Sequence, residues 1–449
     1  MGRRPGGRGA VRIAVVGGGL AGISAALELA DAGASATLFE ARPRLGGATF
    51  SIERDGLWLD NGQHVFLRCC TDYRGLLRRV GVESQVVLQD RLSIPVVSPG
   101  GRRAALERTA LPAPFHLAPA LLRFGFLTRR ERLRVVPAAL ALGRVDLDDP
   151  ALDERTFGDW LAEHGQSANA IAGLWNLITL PAVNLPAAEA SLALGAKVFK
   201  TGLLDHAAAG DIGYAAVPLQ QLHGDASERA LAAAGVDVRL HARVSSLGEL
   251  GQDAVVLAVP HTDAAALLPP GAVEEDPRGL GASPIVNLHV VYDRPVTDLP
   301  FAAGYGTPVQ FVFDRTGSSG LARGQCLAVS ISGARGYETR SLEELRAEFE
   351  PALAALFPAA RSARVERFFA TREPEATFRG VPGTRRLRPG ARTTVPGLFL
   401  AGAWTDTGWP ATMEGAVRSG RLAAHEALAH LGVSVDSKRP NPRQKELAA

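Results

Sequence analysis

The N-terminal segment, residues 11–41, constrains the fold more than any other part of the chain. Residues 11–16 form an apolar, mostly β-branched run that predicts a buried strand. Three glycines then follow in GxGxxG spacing, namely Gly17, Gly19 and Gly22. Residues 23–30 have helical composition, and residues 36–39 predict a second strand. The segment therefore predicts a strand, a tight turn, a helix and a second strand beside the first.

Each glycine of this turn is needed for a different physical reason. Gly17 permits the tight turn, Gly19 lets the backbone approach a pyrophosphate, and Gly22 lets the helix pack closely on the strand. The helix N-terminus then faces the phosphates. Glu40 ends the second strand eighteen residues after Gly22, a position from which a carboxylate accepts hydrogen bonds from a ribose diol. These features together predict dinucleotide binding.

A second glycine pair, Gly46 and Gly47, decides which dinucleotide is bound. NAD-binding units do not need this pair, and its spacing from Glu40 resembles the ExxxxxGG element of FAD enzymes in the amine oxidase and phytoene desaturase superfamily. Most members of that superfamily carry an arginine after the pair, whereas this chain has Ala48. Two other arginines are the alternatives for a positive charge near the phosphates, namely Arg42 and Arg44.

The other half of the predicted flavin site lies near the C-terminus. Residues 395–403 predict a strand that runs into a glycine turn at Gly402. The string GWPATMEGAVRSG then resembles the superfamily's C-terminal flavin motif, in which Thr412, Met413 and Glu414 would open a helix. Such a helix N-terminus has free N–H groups and a partial positive charge, which stabilise an anionic reduced flavin. Glu414 is expected to order this helix rather than to transfer a proton.

A segment in the middle of the chain supplies a third part of the predicted site. Residues 236–247 predict a strand, and the resemblance implies that the backbone of Val244 holds the adenine. Residues 253–260 predict the next buried strand. The resemblance therefore implies an α/β fold: a Rossmann-like FAD-binding domain with a parallel sheet, joined to a discontinuous substrate domain with a mixed sheet and helices.

The predicted domains interleave along the chain. The FAD-binding domain is predicted to comprise residues 11–105, 213–283 and 389–432. The substrate-binding domain is predicted to comprise residues 106–212 and 284–388, with strands around residues 286–292 and 326–332. The two tails, residues 1–10 and 436–449, are predicted to be disordered because they are mostly polar and charged.

Composition excludes several other classes of protein. The 449 residues give room for two or three domains, and a net charge of only +3 does not suggest a nucleic-acid partner. The chain has no apolar run of about 18 or more residues and no apolar segment after its basic start, so neither a membrane span nor a signal peptide is expected, and the chain is predicted to be cytoplasmic. Its cysteines, Cys69, Cys70 and Cys326, have no metal-binding or disulfide spacing, so no metal is predicted. Cys69 and Cys70 form either a redox-active pair or a buried pair beside a helix.

The distribution of lysine, cysteine and histidine bears on the flavin chemistry. Many amine oxidases place a lysine beside the flavin N5, and only Lys197 and Lys200 lie inside the predicted fold. An amine oxidase activity is therefore disfavoured. Residues 361–396 contain no cysteine or histidine to which a flavin could be attached. The FAD is therefore predicted to be bound tightly but without a covalent bond.

Residues 112–144 are a candidate lid that mixes leucine and phenylalanine with several arginines. A basic amphipathic helix of this kind can lie on an anionic membrane surface, on the inner face of the membrane for a cytoplasmic protein. The alternative is a pair of core helices in the substrate domain, joined by a solvated arginine-rich turn. Both interpretations remain open from the sequence.

The substrate is suggested by a second resemblance. Residues 60–70 read DNGQHVFLRCC, and this string and residues 176–191 resemble the hydroxysqualene dehydroxylases, also called squalene-associated FAD-dependent desaturases. The resemblance covers most of residues 11–430. It implies reduction of hydroxysqualene to squalene with reduced FAD as hydride donor, a long-chain isoprenoid as substrate, and handover of that substrate from an enzyme resembling squalene synthase.

The chemistry of that reaction needs a proton donor, a dry tunnel and a well-placed flavin. Gln63 and His64 are the candidate catalytic residues, because a histidine can act as a general acid near neutral pH. The structural alternatives are a capping role for Asp60, a turn at Asn61 and a buried histidine with its hydrogen bonds satisfied.

Three other functions remain open. Phytoene-type desaturases share both FAD motifs and accept long polyprenoids, but they use the flavin as an oxidant. A flavin amine oxidase would need an aromatic cage, for which Trp404 and Trp409 are candidates that fit packing equally well. The Rab GDP-dissociation inhibitors use this fold as a binding module, but the intact GWPATMEGA string argues against that function.

Overall fold

A computed structural model of the chain describes residues 11–433. Both tails that the sequence predicts to be disordered, residues 1–10 and 436–449, lie outside the described residues. Within the described range the structure has seventeen strands: β1 Arg12–Val16, β2 Ser35–Phe39, β3 Ser51–Arg54, β4 Leu57–Asp60, β5 Val65–Leu67, β6 Val86–Leu88, β7 Ser93–Ser98, β8 Arg102–Glu107, β9 Ile212–Ala215, β10 Asp237–Arg239, β11 Ala254–Leu257, β12 Ser283–Tyr292, β13 Phe301–Gly304, β14 Phe311–Asp314, β15 Gln325–Ser332, β16 Val365–Thr377 and β17 Leu398–Leu400.

Thirteen α-helices lie in the same range: α1 Leu20–Asp31, α2 Thr71–Arg79, α3 Ala118–Arg123, α4 Arg129–Gly143, α5 Phe157–Glu163, α6 Ala168–Ala170, α7 Asn176–Val183, α8 Leu192–Phe199, α9 Ala226–Ala233, α10 His261–Leu267, α11 Thr316–Ser319, α12 Leu342–Leu356 and α13 Met413–His430. Short 3₁₀ and π turns extend several of them, such as the 3₁₀ turn Phe115–Leu117 before α3.

A five-stranded parallel sheet holds both ends of the chain together. Its strand order is β10-β2-β1-β11-β17, and Val16 pairs with Phe39 on one side and Leu257 on the other. The strands are buried because apolar helices cover the sheet, which is typical of a doubly wound fold. Since all five strands are parallel, their carboxyl ends meet at one edge, where such folds bind ligands. The predicted Rossmann-like fold is confirmed.

Helices α1 and α13 pack closely against each other under this sheet, which joins the two flavin motifs. A Cβ atom at Gly420 would lie 2.0 Å from the carbonyl oxygen of Ala21, so only glycine allows this approach. The Ser24 hydroxyl donates to the carbonyl of Val417 over 3.0 Å. The motif near residue 20 and the motif near residue 413 are thereby fixed relative to each other.

A seven-stranded mixed sheet forms the second layer, in the order β16-β12-β15-β14-β13-β7-β8. Its pairs are antiparallel except for β7 with β13, where Val96 lies opposite Ala303. The strands predicted at residues 286–292 and 326–332 are the adjacent strands β12 and β15. The predicted FAD-binding segment 11–105 contains β7 and part of β8, which pair into this mixed sheet rather than the parallel one. The division of the chain into domains stays a prediction.

The strand predicted over residues 236–247 is much shorter in the structure. Only Asp237–Arg239 pairs with β2, because the chain turns at His241, which has a left-handed φ of 54°. Beyond the turn the backbone N–H of Ala242 donates to the carbonyl of Glu40 over 2.8 Å. Because Glu40 is the residue after β2, residues 241–244 lie beyond the end of β2 and do not pair with it as a strand. Among the described residues, no helix is long and apolar enough to cross a membrane.

Candidate active site

The first glycine turn leaves an open cradle at the N-terminus of α1. A Cβ atom at Gly22 would lie 1.8 Å from the carbonyl oxygen of Gly17, and Gly17 has a φ of 109°, so both glycines serve the turn itself. Gly19 differs, because the nearest atom to its Cβ position is the Cα of Gly47 at 3.7 Å. The space in front of Gly19 is therefore open to the cavity that it lines. This arrangement fits a pyrophosphate at the helix N-terminus.

The second glycine pair packs directly against the first turn. A Cβ atom at Gly47 would lie only 2.7 Å from the Cα of Gly19, and the N–H of Gly46 donates to the carbonyl of Gly18 over 2.9 Å. The Glu40 carboxylate links the same loops, since it accepts from the N–H of Gly18 at 2.6 Å and from that of Arg42 at 2.7 Å. Glu40 is thus buried at the edge of the predicted ribose site, and its contact with a ribose stays a prediction.

Of the two arginines proposed to replace the missing one, Arg44 makes direct contacts with the second glycine loop. Its guanidinium lies over the ring of Phe50 at 3.6 Å, and it donates to the carbonyl of Gly47 over 3.2 Å. Burial and the neighbouring charge of Arg42 lower the pKa of Arg44 from its usual value. Both arginines therefore bring positive charge to this loop, and their contact with the phosphates remains a prediction.

The C-terminal motif forms the opposite wall of the same cavity. Thr412 caps α13 by accepting from the N–H of Gly415 over 3.1 Å, and Met413 is the first residue of the helix, so the helix begins where the motif predicts. Gly402 has a φ of 139° and lines the cavity together with these two residues. The free N–H groups of α13 therefore face the space where a flavin ring would lie.

Glu414 lines the cavity and fixes α13 to α2, and its predicted contact with the cofactor stays a prediction. Its buried carboxyl accepts from the backbone N–H of Tyr73 at 2.8 Å and of Asp72 at 3.3 Å. Burial and the charge of Asp72 raise the pKa of Glu414 to about 7. These two N–H groups belong to the first turn of α2, where the helix itself offers no acceptor. Glu414, which lies on α13, therefore caps the N-terminus of α2.

Val244 follows the segment that contacts Glu40 and does not line the main cavity. The backbone contact of Ala242 with Glu40 brings this segment to the carboxyl edge of the parallel sheet. The side chain of Val244 is partly buried among apolar residues. Its predicted backbone contact with the adenine remains a prediction.

The cavity itself has a volume of about 570 Å³ and extends from the glycine loops to the mixed sheet and to α3 and α4. Its walls are mainly aliphatic and aromatic. Residues of every layer contribute, including Leu121, Val135, Leu174, Trp175, Phe301 and Phe313. The volume falls in the range of small-molecule sites, and its apolar walls fit a hydrophobic ligand.

The two predicted catalytic residues, Gln63 and His64, both line this cavity. Within the described residues, their Nε2 atoms are buried and have no hydrogen-bond partner. A Cβ atom at Gly62 would lie 3.1 Å from the His64 Nε2, so the imidazole folds back over the backbone of its own loop. Burial lowers the pKa of His64 to about 4, which leaves the imidazole neutral at neutral pH. The catalytic role of both residues remains a prediction.

Among the remaining predicted candidates, Asp60 is held in a structural contact, whereas Trp404 and Trp409 line the cavity. Asp60 forms a buried ion pair with Arg315 over 2.8 Å, rather than facing the cavity. The indole of Trp404 donates to the carbonyl of Val259 over 2.9 Å, whereas Trp409 lies 5.1 Å from the ammonium of Lys197.

The adjacent cysteines Cys69 and Cys70 are buried and free, just before α2. Their mutual contact and burial raise the pKa of Cys70 well above its usual value, so its thiolate is disfavoured. No metal-binding group of His, Cys, Asp or Glu occurs in residues 11–433.

Two residues of the site were missed by sequence reasoning: Glu373 on β16, which lines the cavity, and Asn287 on β12, which contacts the cavity residue Asn61. The Asn61 Nδ2 donates to Glu373 over 3.2 Å, and the Asn287 Nδ2 donates to the carbonyl of Asn61 over 2.9 Å. The sequence did contain one signal for Glu373. Side chains alternate between the two faces of a strand, so Thr371, Glu373 and Glu375 share one face of β16. The sequence could not indicate that this face borders a cavity, because that depends on pairing with β12.

Comparisons with known proteins agree with this geometry. Residues 20–428 match the family described as flavin containing amine oxidoreductase. The chain is 30% identical to the hydroxysqualene dehydroxylase of Rhodopseudomonas palustris, over 92% of this chain and 98% of that protein. It is 26% identical to the 15-cis-phytoene desaturase of Synechococcus elongatus, over 93% of this chain and 96% of that protein.

Solved structures share the fold. The structure of putrescine oxidase bound to putrescine superimposes with a TM-score of 0.68 at 21% identity, covering 94% of this chain and all of that one. The chain is therefore an FAD-dependent oxidoreductase, and it belongs to the flavin-containing amine oxidoreductase family. Within that family it resembles the hydroxysqualene dehydroxylases and the carotenoid desaturases. These matches confirm the predicted cofactor and enzyme class, and they argue against a binding module without flavin.

Proposed function

We propose that this protein reduces hydroxysqualene to squalene, replacing an allylic hydroxyl group by hydrogen. The observation that carries the proposal is the apolar cavity that continues from the cofactor cradle and meets a few polar groups near Gly62. A long isoprenoid alcohol has the matching chemistry, with one polar group on an apolar chain. The similarity to the hydroxysqualene dehydroxylase of Rhodopseudomonas palustris supports this choice of substrate.

The residues of the chain would have three tasks in this reaction. Bound reduced FAD supplies the hydride for the carbon that loses its hydroxyl group. The protein must protonate that hydroxyl so that it leaves as water, and it must orient the allylic carbon. It must also exclude bulk water, because water would capture the allylic cation and return it to an alcohol. The aliphatic and aromatic walls of the cavity suit the last two tasks.

Carotenoid desaturation is the second candidate function. The similarity to a phytoene desaturase extends over nearly the same part of the chain, and the same cavity suits a long polyprenoid. The flavin would then accept a hydride instead of donating one. An amine substrate fits less well, because its charge would have to be desolvated in an apolar cavity.

Product analysis separates these functions. The purified enzyme with chemically reduced FAD is incubated without oxygen with hydroxysqualene, and the enzyme with oxidised FAD is incubated with phytoene. We expect squalene from the first reaction, together with oxidation of the flavin, and no desaturated product from the second. Flavin reduction by phytoene without conversion of hydroxysqualene would favour the desaturase. Absence of both reactions would contradict both candidates.

We also propose that the substrate is handed over by an enzyme resembling squalene synthase, at the cytoplasmic face of a membrane. The substrate is nearly insoluble in water, so a bilayer is the natural source. Residues 112–144 support a peripheral contact there. Helices α3 and α4 form a wall one helix thick, with Leu121 and Val135 facing the cavity and Leu122 and Leu133 facing outward. The outward pair is 55% and 65% exposed.

The charge of this wall supports an anionic lipid surface as its partner. Arg123, Arg129 and Arg130 are exposed, and none of them pairs with a carboxylate within the described residues. The one acid of the segment, Glu131, is occupied, since it caps α4 through Thr128 and accepts from the Ser167 hydroxyl over 2.6 Å. Exposed apolar groups beside unpaired arginines are the composition of a membrane-binding surface.

Replacing Arg123, Arg129 and Arg130 by serine should weaken binding to vesicles that contain anionic lipid. Each arginine near such a surface contributes about 1 kcal/mol, so we expect about 100-fold weaker binding in cosedimentation. Arg132, whose guanidinium donates to the carbonyl of Leu122, is left unchanged because its loss could disturb the wall. Binding of the wild type should also decrease with salt.

A matched control removes the same charge elsewhere, through serine at the exposed residues Arg229, Arg323 and Arg335. This control should bind vesicles almost as the wild type does, and both variants should keep their FAD. Equal binding by the wild type and by the α3–α4 variant would instead support two solvated helices of the substrate domain.

A further inference from the structure

The proposed reaction needs a proton donor, and the neutral imidazole of His64 is poorly suited to that task. The cavity is also lined by the carboxyl groups of Glu373, Glu375 and Glu414 and by the ammonium of Lys197. Glu375 is exposed and accepts from the Thr262 hydroxyl over 3.4 Å. Glu414 is occupied by the N–H groups at the start of α2. The ammonium of Lys197 lies 5.1 Å from the centre of the Trp409 ring, which precedes α13. These contacts leave Glu373 as the candidate acid.

Glu373 is held at the junction between the mixed sheet and the predicted flavin loop. It pairs in register with Ile285 of β12, and both residues line the cavity. Its Oε1 accepts from the Nδ2 of Asn61 over 3.2 Å, and the same amide nitrogen donates to the carbonyl of Ala48 over 2.9 Å. The Oδ1 of Asn61 accepts from the N–H of Phe50 over 3.1 Å. One amide thus connects the carboxyl of Glu373 to the loop that follows Gly47.

The remaining hydrogen-bonding capacity of this carboxyl is free. Within residues 11–433 the structure contains no other hydrogen bond to Glu373, so its second oxygen can carry a proton toward a ligand. Burial raises the pKa of Glu373, whereas Asn61, Arg42 and Arg44 oppose that shift. The side chain is only partly buried, and it lines the cavity in which a substrate would lie.

We propose that Glu373 is the catalytic proton donor to the leaving hydroxyl group of the substrate. This inference rests on the proposed dehydroxylation. The C–O bond breaks with its electron pair on oxygen, and that oxygen takes the proton of Glu373 and leaves as water. Reduced FAD, when bound, would supply the hydride for the new C–H bond, and Glu373 would remain as a carboxylate near the charges of Arg42 and Arg44.

The test compares Glu373→Gln with the wild type. Glutamine keeps an oxygen that can accept from Asn61 but cannot donate an acidic proton. We expect kcat for hydroxysqualene to fall about 100- to 10,000-fold, with FAD content and thermal unfolding unchanged. Glu366→Gln on the same strand is the control, since Glu366 is exposed and pairs with Arg364. The control should keep wild-type kcat.

Two further readouts distinguish a proton donor from a residue that only positions the loop. The wild-type kcat should decrease as pH rises through the pKa of Glu373, because only the protonated acid donates, and Glu373→Gln should lose this dependence. The acetate ester of the substrate has a better leaving group, because acetate departs without strong acid assistance. The variant should therefore convert the ester at a rate near that of the wild type. Equal losses for alcohol and ester would overturn the proposal, as would an unchanged kcat for the alcohol.

An infrared measurement separates this proposal from the proposed function. In the wild type, a band of a protonated carboxyl group should titrate with pH and be missing from Glu373→Gln. If the wild type shows the band but converts no hydroxysqualene, the proposed function fails and the donor role fails with it. If it converts hydroxysqualene without the band, only the role of Glu373 is overturned.

Discussion

Replacing Gly19 by valine should yield a folded protein that retains almost no FAD. In the chain alone, a Cβ atom at Gly19 contacts only the Cα of Gly47, at 3.7 Å, and the φ of −77° suits any residue. With cofactor, the side chain would occupy the space of the pyrophosphate. We expect FAD affinity to fall at least about 100-fold, which corresponds to about 2.8 kcal/mol. Flavin absorption after gel filtration measures the loss.

The neighbouring glycine gives the control for this experiment. Gly22→Ala places a Cβ 1.8 Å from the carbonyl oxygen of Gly17, so this variant should lose thermal stability as well as FAD. Acid precipitation of the wild type should release all of the yellow colour into solution, because the FAD is predicted to be non-covalent. Full FAD content in Gly19→Val would show that this turn does not bind the phosphates, and colour in the acid pellet would show a covalent bond.

Asp60→Ala should cause the largest loss of folding stability among substitutions in the DNGQH segment. The Asp60 carboxylate pairs with Arg315 over 2.8 Å and accepts from the Ser51 hydroxyl at 2.6 Å and from the N–H of Leu219 at 3.1 Å. Both partners of the ion pair are buried. Because Arg315 would keep its charge without a carboxylate, with only the carbonyls of Ala215 and Val217 as acceptors, we expect the free energy of unfolding to fall by about 3–5 kcal/mol.

Urea unfolding at saturating FAD measures this loss. Glu350→Ala is the matched control, since it removes an exposed pair with Arg346 of the same 2.8 Å length. That variant should lose no more than about 0.5 kcal/mol. A change of less than about 1 kcal/mol in Asp60→Ala would mean that the buried ion pair does not hold the segment in place.

The sequence predicts local structure best where the backbone conformation allows only a few residue types, as in glycine turns and helix caps. The turn at Gly17–Gly22 and the start of α13 at Met413 are both found as predicted, because glycine and a capping threonine leave few alternatives there. The strand after residue 236 is overestimated, since its composition continues but the left-handed turn at His241 ends the pairing.

The end of the cavity around Glu373 depends on long-range strand pairing and was harder to predict. Glu373 alternates with exposed residues along β16, and only its register with Ile285 of β12 places it in the cavity. Likewise, the pairing of β7 with β13 brings residues 93–98 into the mixed sheet, although they lie within the segment 11–105 that was predicted to belong to the FAD-binding domain. The local sequence contains no signal for either contact. The polar string around His64 lines the cavity, but its catalytic role stays a prediction, and burial makes the imidazole a weak candidate acid.

Deuterium labelling tests the central claim most directly. The N5–H of reduced flavin exchanges with solvent, so the enzyme is reduced without oxygen in deuterated water and given unlabelled hydroxysqualene. The proton that leaves with the hydroxyl group never enters the product. We therefore predict squalene with one deuterium, located on the carbon that lost its hydroxyl group. Squalene without deuterium at that carbon would contradict reductive dehydroxylation by the flavin.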